Sequence, residues 1–186
     1  MNEKGFTLIE LIAVIVLLGV LASTVAPKFI NLTEAATLAH MQTMVGALKS
    51  AETIVSMKIQ VRPDNLNTRQ NIYTLSTGQN IRVRGKKPDG RWNNTFTHLV
   101  EFSDIIQINS NTCSEDDAKW CVRQRGQGWF NNRGYASLRS GRGFIIFPSG
   151  NNLNRDECYV YYLNQNNTAV PSIALPTIVG SNFTDC

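Results

Sequence analysis

Lys4-Gly5-Phe6-Thr7-Leu8-Ile9-Glu10-Leu11-Ile12-Ala13-Val14-Ile15-Val16-Leu17-Leu18-Gly19-Val20-Leu21-Ala22 is the stretch that decides the fold. From Phe6 to Ala26 almost every residue is apolar, and a helix of that length spans roughly 30 Å, the thickness of a bilayer core. Lys4 lies on its short N-terminal side and is expected to stay in the cytoplasm. Three kinds of segment begin this way. A secretory signal peptide has the charged start and the apolar run. Its small-residue cut at Thr24-Val25-Ala26 would place Pro27 just after it, where a missing N–H and a fixed φ are unfavourable. A plain signal anchor leaves Glu10 without a purpose. A charged side chain at the centre of a membrane helix costs roughly 3 kcal/mol and usually marks function.

The third kind accounts for Lys4, Gly5, Phe6 and Glu10 together. The run Lys4-Gly5-Phe6-Thr7-Leu8-Ile9-Glu10 resembles the processing signal of type IV pilins and their pseudopilin relatives. The resemblance implies that a prepilin peptidase cuts between Gly5 and Phe6 and methylates the new amine of Phe6. Residues 1–5 are then a leader, and the apolar segment stays on the mature chain. Glu10 lies one helical turn from the Phe6 ammonium. In lipid a carboxylate needs a positive partner. The resemblance implies that this partner is the Phe6 amine of a neighbouring subunit in the fibre, which would set the register of assembly. An intramolecular pair and a protonated Glu10 are the alternatives.

Beyond Ala26 the pattern changes. Pro27 removes a backbone hydrogen bond and predicts a bend, and Gly19 weakens its turn. Leu38, Met41, Met44, Val45, Leu48, Ala51, Ile54 and Val55 then recur at spacings of three and four, one helical stripe. Nothing breaks it before Pro63. The expectation is one long helix over 6–59, with 6–26 in membrane or fibre core and 27–59 amphipathic. Its methionines read as packing rather than as a cofactor site.

Residues 60–186 read as a β-rich head. Short apolar runs at Ile72–Leu75, Ile81–Arg84, Trp120–Gln124, Gly143–Phe147, Cys158–Leu163 and Ile173–Val179 are the candidate strands, separated by Gly, Asn, Asp and Pro. Phe96–Phe102 fits a short helix or a strand. Periodicity alone gives an α+β chain with an antiparallel sheet wrapped against the helix. The resemblance makes that a type IV pilin-like fold. The four cysteines, Cys113, Cys121, Cys158 and Cys186, all follow the apolar segment. An even count beyond a membrane anchor indicates export and disulfides. Three pairings are open, and the simplest joins Cys113 to Cys121 and Cys158 to Cys186. The resemblance implies a bridge closing the C-terminal loop, Cys158 to Cys186, worth roughly 3 kcal/mol on the chain-entropy estimate.

Composition excludes little else. The chain has 186 residues, is 42% hydrophobic and carries a net charge of +4. That length suits one ordinary domain beyond the anchor, and the charge is too mild to indicate nucleic acid by itself. No catalytic constellation is present, and no cofactor or metal is expected. His40 and His98 have no ligand partners at metal spacing. Asp116 and Asp117 lack the alternation of a calcium loop. Gly126-Gln127-Gly128 lacks the third glycine of a phosphate loop, and no helix is expected after it. Between Trp120 and Arg142, however, Arg123, Arg125, Arg133 and Arg139 interleave with Trp129, Phe130 and Tyr135. Such a mixture can hold nucleic acid or sugars. The preferred reading is a solvated loop whose aromatics are partly core. Pairing with acids of a neighbouring subunit is a third reading.

The resemblance therefore implies a structural subunit of an extracellular fibre that serves attachment to surfaces or cells. Its partners would be copies of itself and other pilins, the prepilin peptidase, an inner-membrane assembly platform and, before assembly, lipid. It would begin as a single-pass protein of the bacterial inner membrane. Cys158-Tyr159-Val160-Tyr161-Tyr162 and Ala26-Pro27-Lys28-Phe29-Ile30-Asn31-Leu32 resemble the mannose-sensitive haemagglutinin (MSHA) type of pilin. A minor pilin that primes the fibre, a type II secretion pseudopilin and a DNA-binding pilin of an uptake system share the same N-terminus. The C-terminal cysteines favour a pilin over a pseudopilin.

Overall fold

The computed structural model describes residues 7–114, 116–135 and 141–186, and for 26–31 the helical backbone alone. The expected leader and the cut between Gly5 and Phe6 lie outside the described residues, as does Arg139. The chain divides into two units, Met1–His40 and Met41–Cys186. Helix α1, Leu8–Val61, contributes to both.

In the first unit, Leu8–Val25 has a mean hydropathy of 2.6 and no buried residue. Leu8, Ile9, Leu17 and Leu21 each expose 60% or more of their surface. A helix that shows apolar groups on all sides needs lipid or other helices around it. Its few polar groups are satisfied internally: the Ser23 hydroxyl donates to the Val20 carbonyl at 2.8 Å and that of Thr24 to Leu21 at 2.9 Å. This suits a medium with no water to bond them. The helical backbone continues through Gly19 and Pro27.

In the second unit the expected stripe is the buried face of α1. Met41, Met44, Leu48, Ala51 and Val55 are buried, and Ile59 continues the row. Ile54 departs from expectation. It is 49% exposed, because a helical stripe this narrow cannot hold both Ile54 and Val55 against one sheet.

Among the described residues the head contains two sheets, not one. A small antiparallel sheet joins β1 (Leu66–Asn67), β2 (Ile72–Thr74), β3 (Asn80–Arg84) and β4 (Lys87–Pro88). A larger sheet joins β5 (Ile105–Gln107), β6 (Trp120–Gly126), β7 (Arg142–Pro148), β8 (Cys158–Asn164) and β9 (Thr177–Phe183) in sequence order. It is antiparallel except at its edge, where β5 runs parallel to β6. The last strand begins at Thr177 rather than Ile173, since the segment from Pro171 to Pro176 cannot donate a full ladder. Phe96–His98 forms one turn of 3₁₀ helix. A short helix α2, Gln127–Asn131, does follow Gly126, against the expectation of none.

Alternation along the strands explains the packing. Trp120, Val122, Phe144, Ile146, Cys158, Val160 and Tyr162 meet Met41, Met44, Leu48 and Ala51 of α1. Their neighbours Cys121, Ile145, Phe147, Tyr159, Tyr161 and Leu163 face the other way, under Phe130 of α2 and the Cys113 loop. Both faces of the larger sheet are therefore covered, and every residue of β8 is buried. The small sheet packs Tyr73, Ile81 and Val83 on Val55 and Ile59.

The sheets meet at a close approach. The β3–β4 hairpin turns through Gly85 and Lys86, both at positive φ (62° and 59°), the conformation that two-residue hairpins require. Asn164 at the end of β8 donates its amide to the carbonyls of Arg84 (3.0 Å) and Pro88 (2.7 Å). A Cβ on Gly90 would lie 1.7 Å from the Arg142 carbonyl oxygen, so only glycine fits there.

Candidate functional site

The functional end of α1 is capped. Thr7 stands just before Leu8, and its backbone N–H donates to Glu10 Oε2 at 2.9 Å. Its hydroxyl donates to the same oxygen at 2.6 Å and accepts from the Glu10 N–H at 3.4 Å. This is a reciprocal capping box, Thr-x-x-Glu, in which two orphan N–H groups of the first turn are satisfied by side chains. Thr7 is the residue that the sequence reading missed. The spacing Thr7-Leu8-Ile9-Glu10 was the available signal. The single acid in the apolar span thus sits at its mouth, in the first turn of α1, where the helix dipole also favours a negative charge. Glu10 is fully exposed.

Both disulfides form. Cys113–Cys121 ties the loop before β6 to that strand, with Cα atoms 5.7 Å apart. Cys158–Cys186 ties the start of β8 to the chain's last residue, at 4.9 Å. Met41 Sδ lies 3.6 Å from Cys158 Sγ and 3.9 Å from Cys186 Sγ, so the second bridge is packed directly on α1.

The arginine and aromatic segment is brought together only in part. Trp120 turns to the α1 face, whereas Phe130 is buried on the opposite one. Arg133 lies over the Trp129 ring at 3.9 Å and donates to the Leu153 carbonyl at 2.9 Å. Arg125 donates to the Asn111 side chain. Nε and Nη1 of Arg123 and Nε of Arg125 are buried without an acceptor. Burial first, then Arg123 and Arg133, hold the Arg125 guanidinium below its ordinary value. Among the described residues no carboxylate pairs with these cations.

A second cationic group was not legible in the sequence. Asp89 is buried between Arg84 (3.5 Å) and Arg91 (3.3 Å). Burial and then Arg142 lower the Arg91 guanidinium, against the pull of Asp89. Lys87 pairs with Glu52 of α1. Among the described residues no three His, Cys, Asp or Glu side chains are grouped to hold a metal ion.

An exposed apolar N-terminal helix with a capped acid is followed by a helix-packed and disulfide-closed β head. A family model described as the prokaryotic N-terminal methylation motif matches residues 1–26. The type IV narrow pilus major component PilA5 of Thermus thermophilus is 40% identical over 63 residues, which cover 34% of this chain and 54% of that protein. Type II secretion system core protein G of Vibrio cholerae is 30% identical over 104 residues, covering 53% of this chain and 71% of that protein. The chain thus spans about half the length of the Thermus relative. No solved structure gives a significant match. The chain belongs to the type IV pilin family, in the broad sense that takes in both relatives.

Proposed function

We propose that this chain is the structural subunit of a type IV pilus, held in the membrane by α1 and then assembled into an extracellular fibre for attachment. The observation that carries this reading is the apolar stretch Leu8–Val25, with Glu10 as its single acid, inside the methylation motif of residues 1–26. A helix exposed on every side is stable only in lipid or in a bundle of like helices. A fibre core supplies the second environment. Cleavage after Gly5 frees the Phe6 amine, the peptidase methylates it, and Glu10 of an incoming subunit pairs with that amine on its neighbour. The Cys158–Cys186 bridge supports a fibre exposed to an oxidising exterior. The resemblance of the C-terminal stretch to MSHA-type pilins supports an attachment role.

A second reading has its own support. The Vibrio relative is named as a type II secretion component, so a pseudopilin that drives export is the competing assignment. Deleting the chain separates the two. Loss of surface fibres and of attachment, seen by electron microscopy and an adhesion assay, with protein secretion unchanged, is the expected result. Intact fibres with a secretion defect would assign it to the secretion machine.

A further inference from the structure

The head is electrically polar along α1. One end of the larger sheet is where β5, β6 and β8 begin and β9 finishes. Asp104 precedes β5 there, its carbonyl accepting from the Trp120 N–H at 3.0 Å, and Asp116 and Asp117 precede β6. Asp156 and Glu157 precede β8, and Asp185 follows β9, its carboxylate accepting the Glu157 N–H at 2.8 Å. All of these but Asp156 are exposed. The cations described at this end are Lys119 and Arg155, and Arg155 is already paired with Asp156 at 2.8 Å. Met41 marks this end on α1, through its contact with Cys158 and Cys186.

Toward the other end the sign changes. Arg125 and Arg142 stand opposite Gly143 and Gly126 where β6 ends and β7 starts. Arg84, Lys86 and Arg91 are gathered beside them by the Asn164 and Gly90 contacts. Of the acids toward this side, Asp89 and Glu52 are paired internally with Arg84, Arg91 and Lys87, and Asp64 and Glu101 are exposed, Glu101 beside Gln79. Glu52 lies eleven residues past Met41, about 16 Å along the helix at the usual rise. The change of sign therefore runs parallel to this part of α1.

We propose that this polarity is an interface between copies of the chain: the acidic end of one head docks on the cationic half of the next. The inference rests on the pilus reading. Copies that share one orientation and are displaced along α1 by about the separation of the two regions present acid to base. Such a contact is heterologous and does not close, so it propagates as a filament. It also rejects a reversed subunit, since that would set like charges face to face.

The test uses the full chain in fibre-forming cells. Asp104→Asn with Asp116→Lys removes one charge and reverses another at the acidic end, on side chains that accept no described hydrogen bond, and Asn tolerates the positive φ at position 104. Lys86→Asp with Arg142→Glu reverses the basic half. Asp tolerates the left-handed turn at position 86, and Arg142→Glu removes a cation that repels Arg91. Formation of the Cys158–Cys186 bridge, read on non-reducing gels, reports that each head has folded. Each pair of changes should lower sheared fibre yield at least about tenfold at equal membrane level, a factor that corresponds to about 1.4 kcal/mol. The chain carrying all four changes should recover most of the loss. Normal fibre yield from either folded pair, or no recovery in the combined chain, would overturn the proposal. So would pairs that form fibres normally and lose only salt-sensitive retention of DNA, which would assign the cations to nucleic acid. Absence of fibres from the unaltered chain would instead refute the pilus reading.

Discussion

Within the subunit Glu10 caps α1 through Thr7. The proposed second task is between subunits, where its charge would meet a neighbour's Phe6 amine. Thr7→Val keeps the charge and removes the hydroxyl half of the cap, and fibre yield should stay near normal. Glu10→Gln keeps the volume, leaves the amide able to accept from the Thr7 N–H, and removes the charge. It should insert in the membrane and be cleaved, yet give few or no fibres. Sheared fibre yield beside membrane subunit level measures both. Equal yields for the two variants would leave capping as the whole role of Glu10. A second residue-scale expectation concerns the tyrosines of β8. Burial is the first cause holding Tyr159, Tyr161 and Tyr162 above the ordinary phenol value of 10.0, with the Tyr135 hydroxyl adding to Tyr159 at 2.8 Å. A raised folded value means that this stabilisation is complete below pH 10 and is lost as pH rises through the folded values. In detergent-solubilised full chain, tyrosinate absorbance should therefore appear together with loss of near-ultraviolet circular dichroism, above pH 10. Three phenols titrating at their ordinary value with the spectrum intact would contradict the packing described.

At the scale of elements, the C-terminal bridge is the part most open to test. Cys158→Ser with Cys186→Ser removes a loop constraint worth roughly 3 kcal/mol and loosens the Met41 contact with it. Denaturant unfolding of the full chain in detergent should show a loss of that order; a loss under about 1 kcal/mol would place the bridge outside the folding unit. The long helix and the central strands were legible because their signals are local. The three-and-four stripe from Met41 to Val55 and the alternation in β6, β7 and β8 each carry their own period. What was not legible depends on distant partners. The parallel edge strand β5 is three residues long and is defined only by β6. The β1–β4 and β5–β9 sheets meet where Gly90 lies against Arg142 and where Asn164 donates to Arg84 and Pro88, contacts that no window of sequence contains. Helix α2 is too short for a period and is set by burial of Phe130. The arginine pairings around Asp89 likewise join the end of β3 to the segment after β4.

For the whole molecule, one exposed apolar helix is joined to one polar, disulfide-closed head. The N-terminal methylation motif was the most legible feature, since it is written in consecutive residues from Lys4 to Glu10. The charge polarity of the head was the least legible, since it emerges only when strand ends are brought together. Everything rests on the chain being processed as a pilin and carried into the fibre with its apolar helix retained. Mass spectrometry of the subunit in fibres sheared from the cell surface tests this directly. The expected result is a mature chain that begins at Phe6 with an N-methylated amine and retains Leu8–Val25. A surface chain that begins at Met1, or after removal of the apolar segment near Pro27, would contradict it.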